Sequence, residues 1–84
     1  MSYSIRIKKS AAKEVARIAR PDRTRIITAI DSLAESPHRG TLLKGDLSGL
    51  RRIRVGDYRV VYEVSEGELL VLVIRVRHRR EVYR

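Results

Sequence analysis

Cations crowd the second half of this chain, and they are patterned. Lys44, Arg52, Arg54, Arg59, Arg75, Arg77, Arg79 and Arg80 follow one another with His78 and Tyr83 beside them. A guanidinium offers planar, paired donors that match phosphate oxygens. A set of them can hold a polyanion, and it can also stabilise the extra negative charge that develops when a phosphodiester is attacked. RNA carries its own nucleophile, the 2′-hydroxyl, so a protein that aligns that hydroxyl with the adjacent phosphorus needs no metal. It still gains from a proton acceptor and a donor. Arginine is a poor acceptor. His78 and Tyr83 are the titrating candidates, and Tyr83 would need a pKa lowered by the surrounding cations.

Other chemistries find no support in the residues. Two histidines, no cysteine and singly scattered acids make no metal cluster. No glycine-rich phosphate loop of the usual spacing is present, nor a recognisable nucleophile context for serine. No cofactor is expected. A basic strand face is often only a solvated one. From the residues alone, a nucleic-acid binder is favoured over a nuclease.

The elements that must position these cations centre on Leu50 to Val64, LRRIRVGDYRVVYEV. Leu50, Arg52 and Arg54 alternate with Arg51, Ile53 and Val55; Tyr58, Val60, Tyr62 and Val64 alternate with Asp57, Arg59, Val61 and Glu63. Such period-2 patterns predict two half-buried strands. Gly56-Asp57 suits a two-residue turn with glycine at positive φ. The result is a hairpin with an apolar face on a core and Arg52, Arg54 and Arg59 on an open face. Tyr58 and Tyr62 read as core.

Ahead of it, Tyr3 to Lys8 alternate as a first strand. Ser10 is placed as the N-cap of a helix over 11–19, burying Ala12, Val15, Ala16 and Ala19 with Ile18 at the edge of that side. Arg20-Pro21 breaks that helix. A second spans Asp22 to Glu35, with Ile26, Ile27, Ile30, Leu33 and Ala34 on one stripe. Two helices joined so briefly should form a hairpin. His38 to Gly49 reads as a loop anchored by Leu43 and Leu47. Leu69 to Val76 is the most apolar strand, central in a sheet. Its alternation puts Leu70, Leu72, Ile74 and Val76 on one face and Val71, Val73, Arg75 and Arg77 on the other. The order β-α-α-β-β-β predicts an α+β domain, the helical hairpin packed on one face of an antiparallel sheet.

Eighty-four residues make a single domain, 1–84. A chain of this size buries roughly 60% of its unfolded surface, so the core is modest. A net charge of +9 and a pI near 10.8 favour a polyanionic partner, nucleic acid first and an acidic protein second. No apolar run resembles a signal peptide or a membrane span, so a cytoplasmic protein with no membrane association is expected.

The order of elements, the segment LLKGDLSGLRRIRVGDYRVVYEV and the ending VLVIRVRHRREVYR resemble the RelE/ParE superfamily of bacterial and archaeal toxins, closer to the RelE branch. The resemblance covers nearly the whole chain. It implies an mRNA interferase of a type II toxin–antitoxin pair, which enters the ribosomal A site and cuts the codon there by 2′-hydroxyl attack. It also implies a RelB-like antitoxin that masks the basic site, and operator DNA bound only through that complex. Carried over by position, the catalytic set is Arg52, Arg54, Arg59, Arg79 and Tyr83. Arg59 would stabilise the charged transition state, Arg79 would assist the leaving 5′-oxygen, and Tyr83 would stack on or deprotonate the substrate. Lys44, Arg51, Arg75, Arg77, His78 and Arg80 would contact RNA or the ribosome. The best-known member has lysines at the positions of Arg52 and Arg54, which shifts weight towards Tyr83 as the base. The runner-up is a ParE-like toxin that poisons DNA gyrase by binding, and the third reading is an inactive binding module.

Overall fold

A computed structural model describes residues 2–80. β1 (Ser4–Ile7) leads into α1 (Lys9–Ala16) and α2 (Asp22–Ser32). A short β2 (Thr41–Leu42) follows, then β3 (Arg51–Val55), β4 (Tyr58–Ser65) and β5 (Leu70–His78). The five strands form one sheet in the order β1-β5-β4-β3-β2. Both helices cover one face, and the core between the layers is built from Val15, Ile18, Ile26, Ile30 and Leu33 against Ile53, Val60, Tyr62, Val71, Val73 and Val76. The α+β class and the helical hairpin on one face are as expected.

The sheet itself is mixed. β1 runs parallel to β5, with Ile5 opposite Val71, while the other strand pairs are antiparallel. The helices carry the chain across the sheet from β1 to the opposite edge, and β5 returns beside β1 only at the end. That long-range pairing leaves no local pattern. Nor does β2, whose two residues lie in the segment read as a loop and pair with Arg51 and Arg52.

The helices are set slightly differently from expectation. Lys8 donates its N–H to the Val73 carbonyl at 2.8 Å, and its own carbonyl accepts from Ala12 at 2.9 Å. The strand's last bond therefore fixes where α1 starts, Lys8 is the N-cap, and Ser10 falls inside the first turn. Ala11, Val15 and Ile18 are buried, whereas Ala12, Ala16 and Ala19 are exposed. Val15 and Ile18 remove more apolar area from water than an alanine stripe would, and Ala11 completes the buried face. In α2, Ile26 and Ile30 turn inward, Leu33 does so at the C-cap, and Ile27 is 45% exposed.

Tyr62 is fully buried. Its hydroxyl donates to the Pro37 carbonyl at 2.7 Å and accepts from the Gly40 N–H at 3.0 Å. This ties the loop before β2 to the centre of the sheet. A Cβ at Gly40 would stand 2.5 Å from that hydroxyl and 2.9 Å from the Arg52 carbonyl. We therefore expect Gly40→Ala to destabilise by about 1–3 kcal/mol, read as a lower denaturant midpoint with an unchanged slope. A midpoint equal to wild type would show that the loop is not clamped.

Candidate functional site

The hairpin turn is built as its residues require. Gly56 has φ +60°, and Asp57 is not in the left-handed region, which matches a turn with glycine at its first central position. The resulting register pairs Arg54 with Arg59 and Arg52 with Val61. On the next strand, Arg77 stands opposite Arg59 and Arg75 opposite Val61. Directly paired residues share a face. Two rows therefore cross three strands on the face away from the helices: Arg54–Arg59–Arg77 and Arg52–Val61–Arg75.

A β-bulge makes this possible. Val61 pairs with Arg75 but Tyr62 pairs with Val73, leaving Ile74 as an extra residue. The extra residue resets the alternation of β5. Val71, Val73 and Val76 are all buried under the helices, while Arg75 and Arg77 join Arg52, Arg54 and Arg59. Strict alternation would instead place Arg75 and Arg77 on the face of Val71 and Val73. The expectation that Val76 shares a face with Leu70 and Leu72 is corrected here for the same reason.

Neighbouring strands lie about 4.8 Å apart, so the five arginines occupy one small patch. Unit charges about 5 Å apart repel by roughly 1 kcal/mol in water, and by more at lower effective dielectric. Bound anions relieve that repulsion. Val61 lies in the patch, only 3% exposed and outside the main core cluster. Arginine stems are apolar enough to line such a residue while their heads stay in water.

A model of the ParE toxin of the type II toxin–antitoxin system parDE matches residues 5–83. Toxin RelE of Mycobacterium tuberculosis (strain ATCC 25618 / H37Rv) is 34% identical over 84 residues, covering 98% of this chain and 87% of that one. The chain belongs to the RelE/ParE toxin family. The toxin in the solved RelBE2 toxin–antitoxin complex of M. tuberculosis superposes with a TM-score of 0.87 at 24% identity, over 93% of this chain and 99% of that one. The archaeal RelE–RelB complex of Pyrococcus horikoshii OT3 gives 0.78 at 26%, over 98% and 100%.

In this toxin the remaining predicted residues are distributed unevenly. Arg77 leans over the edge of β5, and its Nε donates to Glu14 of α1 at 2.7 Å. The same carboxylate accepts the Val76 N–H at 2.9 Å. Arg79 lies beyond β5, its N–H on the Asp57 carbonyl at 2.7 Å and its guanidinium 3.8 Å from the Asp57 carboxylate. It is thus held at the hairpin turn rather than in a row. His78 packs edge-to-face on Tyr58, ring centroids 5.6 Å apart. Arg80 and Lys44 are exposed, Lys44 in the loop before β3. Tyr83 lies outside the described residues. Arg51 is on the helix side, where its guanidinium donates to the carbonyls of His38 at 3.1 Å and Gly40 at 2.8 Å. That is a loop-holding role, away from the two rows.

Arg39 was not anticipated. With Thr41, Arg52, Ile53 and Arg54 it lines a cleft of about 280 Å³ at the end of the arginine face. The pairing of Thr41 with Arg52 brings it there, and nothing in the spacing PHRGT announces a two-residue strand. Glu14 was equally silent, because a lone glutamate on a short helix reads as solvated.

A second polar cluster lies elsewhere. The Tyr3 hydroxyl donates to Glu66 at 2.8 Å, and the other Glu66 oxygen pairs with the His38 ring. The Tyr3 bond, then the His38 bond, hold the Glu66 carboxyl below its ordinary 4.5, and Glu66 in turn raises Tyr3 above 10.0. A lowered native pKa gives stability that is present above the unfolded value and lost as pH falls through the native one. Melting temperatures of wild type and Glu66→Gln should therefore differ most near neutral pH and converge on acidification below about 4.5. A gap that widens in acid would contradict this.

Proposed function

We propose that this toxin is a ribosome-dependent mRNA endonuclease that cuts the A-site codon and so stops translation. The observation that carries the reading is the pair of arginine rows, with Arg52, Arg54, Arg59 and Arg75 on one sheet face, Arg77 at its β5 edge and the apolar core behind it. Arg52 and Arg54 would grip the phosphates flanking the cut, with Arg39 extending that grip. Arg59, central in its row, would neutralise the charge that builds on the phosphorane. The 2′-oxygen forms a bond to phosphorus as the bond to the 5′-oxygen breaks. The 2′-proton passes to an acceptor, for which Tyr83 is the candidate, and the 5′-oxygen gains a proton. The products are a 2′,3′-cyclic phosphate and a 5′-hydroxyl. Register supports Arg77, next to Arg59, for assisting the leaving oxygen, with Arg79 as a flanking cation.

The RelE–RelB complexes among its relatives support a RelB-like antitoxin as the partner, and that antitoxin would mask this face. Operator DNA would be met only through that complex, in the cytoplasm. Among the described residues no helix is long and apolar enough to cross a membrane.

Primer extension on mRNA with programmed ribosomes tests the proposal. Cuts confined to the A-site codon are expected. On protein-free RNA the same toxin should be slow, because an open face without a preplaced substrate forgoes the gain from positioning. Rapid cutting of naked RNA would remove the ribosome from the reading. The ParE family match keeps a second reading alive, inhibition of DNA gyrase by binding. No cuts from a folded toxin, together with lost supercoiling, would select it.

A further inference from the structure

β1 accompanies β5 only as far as Val73. Beyond that point α1 packs against β5, and a cleft of about 270 Å³ opens between them. Its apolar surface comes from Ile18 and Val76, its ring surface from Tyr58 and His78, and its cations are Arg17 and Arg77. Arg77 is the shared residue: it ends the row Arg54–Arg59–Arg77 and also lines the cleft.

We propose that this cleft is a nucleotide subsite, taking one nucleotide of an RNA strand that continues from the arginine rows. The base lies against the His78 ring, and the phosphate sits on Arg17 and Arg77. The chemistry is that of single-strand recognition, an aromatic surface for any base beside cations for the backbone. Tyr58 supports the His78 ring edge-on at 5.6 Å, leaving the ring set by packing rather than by the ligand. Among the described residues Glu14 is the one carboxylate on the wall. Both of its oxygens already accept bonds, from Val76 N–H and Arg77 Nε, so it orients Arg77 rather than confronting the phosphate. The volume falls just under the roughly 300 Å³ at which small-molecule pockets begin, which suits one nucleotide and excludes a longer piece. The proposal rests on the arginine face being an RNA site, but its test needs no cleavage.

NMR titration of the purified toxin with adenosine 5′-monophosphate and with ribose 5-phosphate separates base from phosphate recognition. The nucleotide should shift the His78 and Tyr58 ring signals, and ribose 5-phosphate should leave them nearly unmoved. Equal shifts would make the cleft a general anion site, and no shifts would remove it. For RNA as the source, binding of a short oligoribonucleotide should weaken about tenfold in His78→Ala, the size of one stacking contact. His78→Phe should restore it, because a ring is what is required. Arg17→Ala, an exposed position on the helix layer, should weaken binding several-fold with an unchanged melting temperature, and it decides the matter if His78→Ala is unstable. Wild-type RNA affinity in both alanine variants overturns the proposal. Failure of the arginine-face reading looks different: Arg59→Ala would then bind RNA as well as wild type whatever His78→Ala does. Displacement of the nucleotide by an acidic peptide but not by RNA would assign the cleft to a protein partner instead.

Discussion

Arg59→Ala will slow single-turnover cleavage of a ribosome-bound codon by about 10²–10³-fold, the usual loss when one donor aimed at developing charge is removed. Arg59 is the middle member of its row, with Arg54 on one side and Arg77 on the other. Among the described residues no other arginine stands between two cations in this register, so none of them can substitute for it at the centre. Its half-buried stem lies beside Val61, so the alanine variant also loses packing. Arg59→Lys controls for that loss, since it keeps a stem and a charge but gives up the planar fork. Lysine should recover folding and part of RNA binding while cleavage stays at least tenfold down. Cleavage at the wild-type rate in Arg59→Ala would place the chemistry elsewhere on the molecule.

RNA affinity will fall about 50-fold when salt rises fourfold. Each phosphate neutralised on a single strand contributes roughly −0.7 to the slope of log affinity against log salt. With about four contacts on the arginine face the slope is close to −3, from which the 50-fold loss follows. Arg52→Ala or Arg54→Ala should each make the slope shallower by about 0.7, lowering affinity most at low salt. Arg51→Ala should leave the slope unchanged and lower stability instead, because its guanidinium is spent on the carbonyls of His38 and Gly40. A flat salt response would mean that the face does not meet phosphates.

Arg51 and Arg52 are neighbours in sequence, and alternation alone separates them: one faces the helices and one the open side. The same logic placed Tyr62 in the core and Arg59 outside. Its limit is reached at Ile74, where one extra residue reverses the parity of everything after it. Bulges arise from the fit of one strand against the next, so β5 read alone could not show on which face Arg75 and Arg77 would stand. Likewise the alanines of α1 looked like a stripe, but the helix phase was set by the Lys8–Val73 bond at its start.

By itself, then, the amino-acid order determined the α+β class, the helical hairpin, the Gly56-Asp57 turn and the gathering of Arg52, Arg54 and Arg59 on one face. Each of these follows from periodicity or turn chemistry within a few residues. The tertiary structure alone decided the parallel pairing of β1 with β5, the reset at Ile74 that brings Arg75 and Arg77 into the rows, the arrival of Arg39 beside Arg52 and Arg54, and the grip of Glu14 on Arg77. All four depend on contacts between residues far apart in the chain, and such contacts are set by how the layers pack rather than by any local pattern.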